Sequence, residues 1–210
     1  MTEPAEALAR STGDLDQAPD EALVFALIAK QSNAARVLWQ RFSPMVRRIA
    51  RRTLGPVSEA EDLVQDVFMQ LFAKVHTLRE PRALKAFIIS VTTLTLRREL
   101  RRRKLRSWLG LRPDPLTSDL RVVHPDPVGR AALERFYAVL DRLDARDRAA
   151  FVLRNIEGMA MNDVADALGV SLATAKRCLA HAQQRVQLHV ERDPLLADYL
   201  VRALGEEPRD

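Results

Sequence analysis

The segment 161–182 leaves the chain almost no choice of local fold. Val164, Ala165 and Leu168 fall on one face of a short helix. Gly169 follows at once, supplying the left-handed residue at which such a helix ends. Val170 turns inward, and Ser171 offers the side-chain oxygen that caps a second helix. That helix buries Ala175, Cys178, Leu179 and Ala182 and presents Ala173, Thr174, Lys176, Arg177, Ala180, His181 and Gln184. Small residues where two helices cross steeply define a helix-turn-helix. Its outer face brings Ser171, Thr174, Lys176, Arg177 and His181 within reach of base edges and phosphates in a major groove. The positive end of the helix adds to that potential. The alternative is a helical hairpin that packs without touching DNA, against which the helix–Gly–apolar–Ser–helix spacing is fairly specific.

The rest of the chain repeats apolar residues at helical spacing, and the expected class is all-α. A first block, residues 20–106, opens with Ala22, Leu23, Ala26 and Leu27 on a short helix. Asn33 is the expected N-cap of the next helix, whose apolar positions include Val37, Leu38, Val46, Ile49 and Ala50 and which Gly55-Pro56 ends. Ser58-Glu59-Ala60-Glu61 reads as a capping box. Leu63, Val64, Val67, Phe68, Leu71, Phe72 and Val75 follow it, with Asp62, Gln65, Asp66 and Met69 opposite. Pro81 suits the start of a fourth helix, burying Leu84, Phe87, Ile88 and Val91 and running into Arg97, Arg98, Arg101, Arg102, Arg103, Lys104 and Arg106. Periodicity stops over 107–127, where Gly110, Pro113, Pro115, Pro125 and Pro127 mark a flexible linker. A second block, 128–192, puts Leu133, Phe136 and Leu140 on one face. A further apolar helix spans 151–156 and closes near Gly158, before the helix-turn-helix. Residues 1–19 and 193–210 are tails, the latter with an amphipathic stretch at 194–204.

Composition removes several classes of function. Lys and Arg number 33 against 28 Asp and Glu, a net charge of +5 that suits an anionic partner. Most of the excess is arginine, which contacts phosphate better than lysine does. The lone cysteine, Cys178, excludes an internal disulfide and is expected as a small core residue. His76, His124, His181 and His189 lie far apart, in no metal-ligand spacing, so neither metal nor cofactor is expected. The first twenty residues lack a basic start followed by an apolar run, and no stretch is long enough to span a bilayer. A cytoplasmic protein with no membrane insertion is the expectation. No nucleophile–base pair or phosphate loop appears, so an enzyme is the least expected class. Asp62 and Asp66 sit at i and i+4 without a catalytic companion. They form either an exposed polar face or a docking face for a basic helical partner. The arginine tract spreads over an arc that fits a phosphate backbone. Trp39 is expected in the core and Trp108 against the linker.

Residues 60–72 resemble the most characteristic segment of sigma factor region two. Residues 143–154, then Glu157-Gly158-Met159 and the helix-turn-helix, resemble region four. The layout is similar to the extracytoplasmic-function group of bacterial sigma factors. The resemblance implies a transcription initiation factor, not an enzyme, with core RNA polymerase, promoter DNA and an anti-sigma factor as partners. It implies that Asp62, Gln65, Asp66, Phe68 and Met69 dock on the clamp helices of the polymerase's largest subunit. The loop 77–81 would capture a flipped base. Thr93, Leu94, Arg97, Arg98, Arg101, Arg102 and Lys104 would hold the minus-ten element, and the helix after Ser171 would read the minus-thirty-five element. Several positions depart from the family pattern. Phe87-Ile88 stand where Trp-Leu is frequent, Leu94 replaces an Asn, Arg98 an Asp, and Asp144 the Pro of a Leu-Pro pair. Cys178, His181 and Gln183 stand where Arg is frequent. These departures imply a divergent member with altered promoter preference. The alternatives are a stand-alone helix-turn-helix regulator, against which the acidic helix argues, and a degenerate sigma factor that only engages an anti-sigma factor.

Overall fold

The computed structural model describes residues 15–55, 60–110 and 127–205. Within them the regular structure is helical throughout, with no strand. Four long elements come first: α1 (Asp20–Ile28), α2 (Ala34–Leu54), α3 (Ala60–Lys74) and α4 (Leu84–Trp108). Tight turns at Val75–Thr77 and Pro81–Ala83 join α3 to α4. Further along the chain follow α5 (Pro127–Leu140), α6 (Ala145–Phe151) with a widened turn over Val152–Ile156, α7 (Met161–Leu168), α8 (Leu172–Val190) and α9 (Pro194–Gly205).

The local signals at the helix-turn-helix act as the sequence dictates. Gly169 takes φ 65°, ψ 42° and closes α7. Ser171 Oγ accepts from the Thr174 amide at 3.3 Å at the start of α8. Replacing Ser171 with Ala is expected to cost about 1 kcal/mol. That is a fall of roughly 2–4 °C in a thermal melt for a chain of this size. Two other signals are used differently. Asn33 precedes α2 but makes no side-chain capping bond; only its carbonyl engages, accepting from the Val37 amide. Ser58 and Glu59 of the capping box lie outside the described residues. Glu61 reaches across to α2 instead, where Arg47 Nε donates to it at 2.8 Å and Arg47 Nη2 at 3.0 Å. That hydrogen bond holds the Glu61 carboxyl below the usual carboxylate range.

The main core does not stop at the proline-rich stretch. Leu23, Leu38, Val64, Leu71, Leu84, Ile88 and Leu96 of α1–α4 share one apolar cluster with Ala150, Leu153, Val164, Leu168 and Ala175 of α6–α8. Each large side chain so buried contributes about 1.5–3 kcal/mol. A smaller cluster joins Leu140, Phe151, Ala182, Val186 and Leu196, so α9 packs on α5 and α8. The amphipathic stretch after residue 193 therefore has a structural place. Helix α4 runs to Trp108, past the expected start of the linker, and α5 begins at Pro127. Residues 111–126, the middle of that linker, lie outside the described residues.

Candidate polymerase and nucleic-acid interfaces

Helix α3 is two-faced because its apolar residues recur at helical spacing. Leu63, Val64, Val67, Phe68 and Leu71 are buried, which turns Asp62, Gln65, Asp66 and Met69 to solvent. Met69 is 70% exposed. Phe68 is not part of that face. It is 2% exposed and packs on Trp39 with ring centroids 4.5 Å apart and on Phe72 at 6.2 Å. Its implied docking contact is thus corrected to a supporting one: it fixes α3 on α2. Phe72, 40% exposed, is the aromatic that solvent reaches. Gln70 Nε2 donates to Thr95 Oγ1 at 3.0 Å and ties α3 to α4.

In the turn that follows, Thr77 Oγ1 donates to the Lys74 carbonyl at 2.7 Å, leaving His76, Thr77, Arg79 and Glu80 exposed. Arg82 Nε donates to Glu21 at 2.6 Å, fixing the end of the turn to α1.

Helix α4 divides the expected minus-ten residues into two groups. Arg98, Arg101, Arg102 and Lys104 are exposed. Of these, Arg102 pairs with Glu99 at 2.6 Å and Lys104 with Asp144 at 3.0 Å. Thr93 and Arg97 are covered. Thr93 is 1% exposed, with its hydroxyl donating to the Ile89 carbonyl at 2.8 Å. Arg97 is 7% exposed, and Nη1 donates to the Leu168 carbonyl at the end of α7 at 2.8 Å. Burial pulls its guanidinium below the usual value, and the like charges of Arg146 and Arg101 add to this. Leu94 is half-buried. In this arrangement Arg97 is a seam residue because the end of α7 meets it, and Thr93, one turn earlier on α4, is buried too.

On α8, Ser171, Lys176 and Arg177 face solvent, and Thr174 accepts from Arg177 Nη2 at 3.3 Å. His181 is exposed but engaged: its Nδ1 lies 2.6 Å from Asp147 Oδ2. It braces α8 on α6 with its side chain still 50% exposed. Cys178 sits half-buried beside the core, where burial pushes its thiol up.

A set of residues that sequence reasoning did not single out joins the two halves. Glu157 accepts from Arg48 Nε at 3.0 Å and Arg52 Nη1 at 3.0 Å; Arg52 also donates to the Ile156 carbonyl at 3.1 Å. Arg148 Nε donates to the Thr53 carbonyl at 2.6 Å, and Nη1 donates to Asp141. Tyr137 donates to the Arg51 carbonyl, its ring lying against Gly55, where φ is 88° and an added Cβ would stand 3.2 Å from the ring. The visible signal was Arg47, Arg48, Arg51 and Arg52, a second basic tract on α2. Among the described residues there is no group of three or more His, Cys, Asp or Glu able to hold a metal, and no helix long and apolar enough to cross a membrane.

Two family models match. "Sigma-70 region 2" covers residues 38–106 and "Sigma-70, region 4" covers 133–185. The RNA polymerase sigma-E factor of Streptomyces coelicolor is 32% identical over 165 residues, covering 78% of this chain and 87% of that protein. RNA polymerase sigma factor NccH of Alcaligenes xylosoxydans xylosoxydans is 27% identical over 176 residues, covering 81% and 94%. ECF RNA polymerase sigma factor SigJ of Mycobacterium tuberculosis is 31% identical over 142 residues, covering 66% of this chain, and the match spans only 45% of that longer relative. Two solved structures share the fold. CnrH in complex with the cytosolic domain of CnrY has TM-score 0.58 at 20% identity, covering 83% of this chain and 98% of its own. The sigma factor RpoE in complex with the anti-sigma factor NepR from Bartonella quintana has TM-score 0.58 at 24% identity, covering 77% and 99%.

Proposed function

The chain belongs to the sigma-70 family, in its extracytoplasmic-function group, the initiation factors that carry core RNA polymerase to promoters, and we propose that it does so through three surfaces. The first is the solvent face of α3, where Asp62, Gln65, Asp66 and Met69 meet the clamp helices of the polymerase's largest subunit. This reading rests on one observation above all: those four side chains share a rigid, exposed face backed by the buried Phe68–Trp39 contact. The second is α4, where Arg98, Arg101, Arg102 and Lys104 track the minus-ten phosphates. Thr93, Leu94 and Arg97 join them only once α7 leaves α4. The third is the start of α8, where Ser171, Thr174, Lys176 and Arg177 enter the minus-thirty-five duplex.

On this reading residues 20–106 form region two, 107–127 the linker and 128–192 region four. Residues 1–19 and 193–210 are terminal segments. An anti-sigma factor is the inferred regulator, since a sigma factor of this fold, RpoE, was solved with the anti-sigma factor NepR. The work is done beside polymerase in the cytoplasm.

Run-off transcription from a genomic template library, with purified core polymerase plus or minus the chain, tests this. Specific starts that need the chain are expected; absent starts together with absent core binding would end the proposal. Replacing Arg101 and Arg102 with Ala is expected to flatten the log–log salt dependence of open-complex formation by roughly 1.4, about 0.7 per phosphate of a melted strand lost. An unchanged slope, measured by filter binding across a salt series, would remove both from the phosphate contacts.

A further inference from the structure

Beyond its arginines, α4 carries a second exposed feature that the minus-ten reading does not use. Arg98, Arg101, Arg102, Leu105 and Trp108, with Leu109 just past the helix, recur at i, i+3, i+4, i+7, i+10 and i+11. That spacing puts them on one solvent stripe. Its first half is cationic and its second apolar: Leu105 is 58% exposed, Trp108 83% and Leu109 56%. Single exposed apolar residues are ordinary, but three together at the end of an arginine run are not. No carboxylate of α4 shares the stripe. Glu99 is turned away, 10% exposed, and held by Arg102, Arg103 and Arg106.

From Arg98 to Trp108 the stripe is about 15 Å long at 1.5 Å per residue. That matches three or four phosphates of a strand. A groove or ridge that tracks phosphates with arginine and ends in an exposed aromatic suits unpaired nucleic acid, because every base has a face to stack. An acidic protein partner would satisfy the arginines but leave the indole without a planar counterpart. We propose that Trp108 stacks on an unpaired base of promoter DNA, at the edge of the melted segment whose phosphates Arg98, Arg101 and Arg102 hold. This deepens the reading of α4 as a DNA face and rests on it. The aromatic is sequence-tolerant, so it adds hold on a melted strand more than choice among promoters. Thr93 and Arg97 are buried, whereas this stripe is open, so the full chain alone is testable.

The test uses the full chain carrying Trp39→Phe, which leaves Trp108 as the sole tryptophan. It is titrated at low salt with a fluorescein-labelled single strand of about twelve nucleotides, and with the matching duplex. Strand binding is expected to quench Trp108 emission by at least half and shield it from acrylamide; duplex binding is expected to do neither. Trp108→Ala is expected to weaken strand binding about tenfold, and Trp108→Phe to restore it to within about threefold. If the strand binds by anisotropy while Trp108 emission stays constant and Trp108→Ala binds equally, the stacking is wrong and the arginine reading survives. If neither the chain nor its holoenzyme binds DNA, the reading of α4 itself is wrong. If Trp108→Ala loses core polymerase but not the strand, the stripe belongs to a protein and the inference falls.

Discussion

Reversing Asp62 and Asp66 together to arginine is expected to weaken capture of core polymerase by on the order of a hundredfold and to abolish specific run-off transcripts. The expectation is large because both carboxylates lie on the exposed face of α3, and like charge set against a basic helical partner costs several kcal/mol. The fold has little stake in either. Neither carries an ion pair among the described residues, and the support of α3 comes from Phe68, Leu71 and the Arg47–Glu61 pair. A thermal melt within about 2 °C of the parent chain should accompany the lost binding. Glu61→Ala is the converse control, since it loosens α3 from α2 while leaving the outer face intact. Full core binding by the doubly reversed chain would remove α3 from the polymerase interface.

Removing the Arg148 side chain is expected to be the most damaging single change to the fold. Arg148 is 2% exposed, and it joins three helices: its own α6, the Thr53 carbonyl near the end of α2, and Asp141 just past α5. Burial pulls its guanidinium below the usual value, while the Asp141 carboxylate pushes the other way. Nη2 finds no partner among the described residues, so the charge is only partly compensated. Arg148→Ala deletes a large buried volume and strands the Thr53 carbonyl, at a cost of about 3 kcal/mol. For a chain of this length that is a loss of roughly 6–12 °C in melting temperature. Arg148→Met keeps most of the volume and leaves Asp141, whose side chain is 62% exposed, to solvent, so its cost is the stranded Thr53 carbonyl, about 1 kcal/mol. The Met chain should melt within about 3 °C of the parent. Equal losses for Ala and Met would mean that the guanidinium bonds, not the volume, hold this junction.

The parts of the molecule legible in sequence are those where one residue type has one physical use. Gly169 and Ser171 mark the turn of the helix-turn-helix because few residues take positive φ or cap a helix so well, and both do so. The face of α3 was legible because a strong apolar repeat leaves the polar side no alternative. What periodicity cannot supply is the identity of the element that covers a face. Thr93 and Arg97 have the right phase to meet DNA, yet both are buried, and the end of α7 from the other half holds Arg97. His181 has the phase of a base-reading residue, yet the Asp147 carboxylate lies within hydrogen-bonding distance. Phe68 occurs in the matched motif, but its aromatic partner Trp39 is 29 positions away, a pairing that no local pattern encodes. Asn33 fits a cap by composition and simply leaves its side chain out of it.

The bond between Arg97 and the Leu168 carbonyl also sets a matter of scale. At 2.8 Å it holds α4, the helix proposed to face the minus-ten element, against the first helix of the helix-turn-helix. The two promoter elements whose names fix them about 25 base pairs apart are separated by roughly 85 Å of duplex at about 3.4 Å per step. On the proposed reading, a chain folded as described therefore fits one element at a time. Residues 111–126, with the bonds that join them to either side, reach at most about 60 Å when drawn straight. The two halves make up the remainder with their own widths. On the proposed reading, the same stretch that lets the halves share one apolar core thus works as a gauge, setting the longest spacer on which both can stand at once.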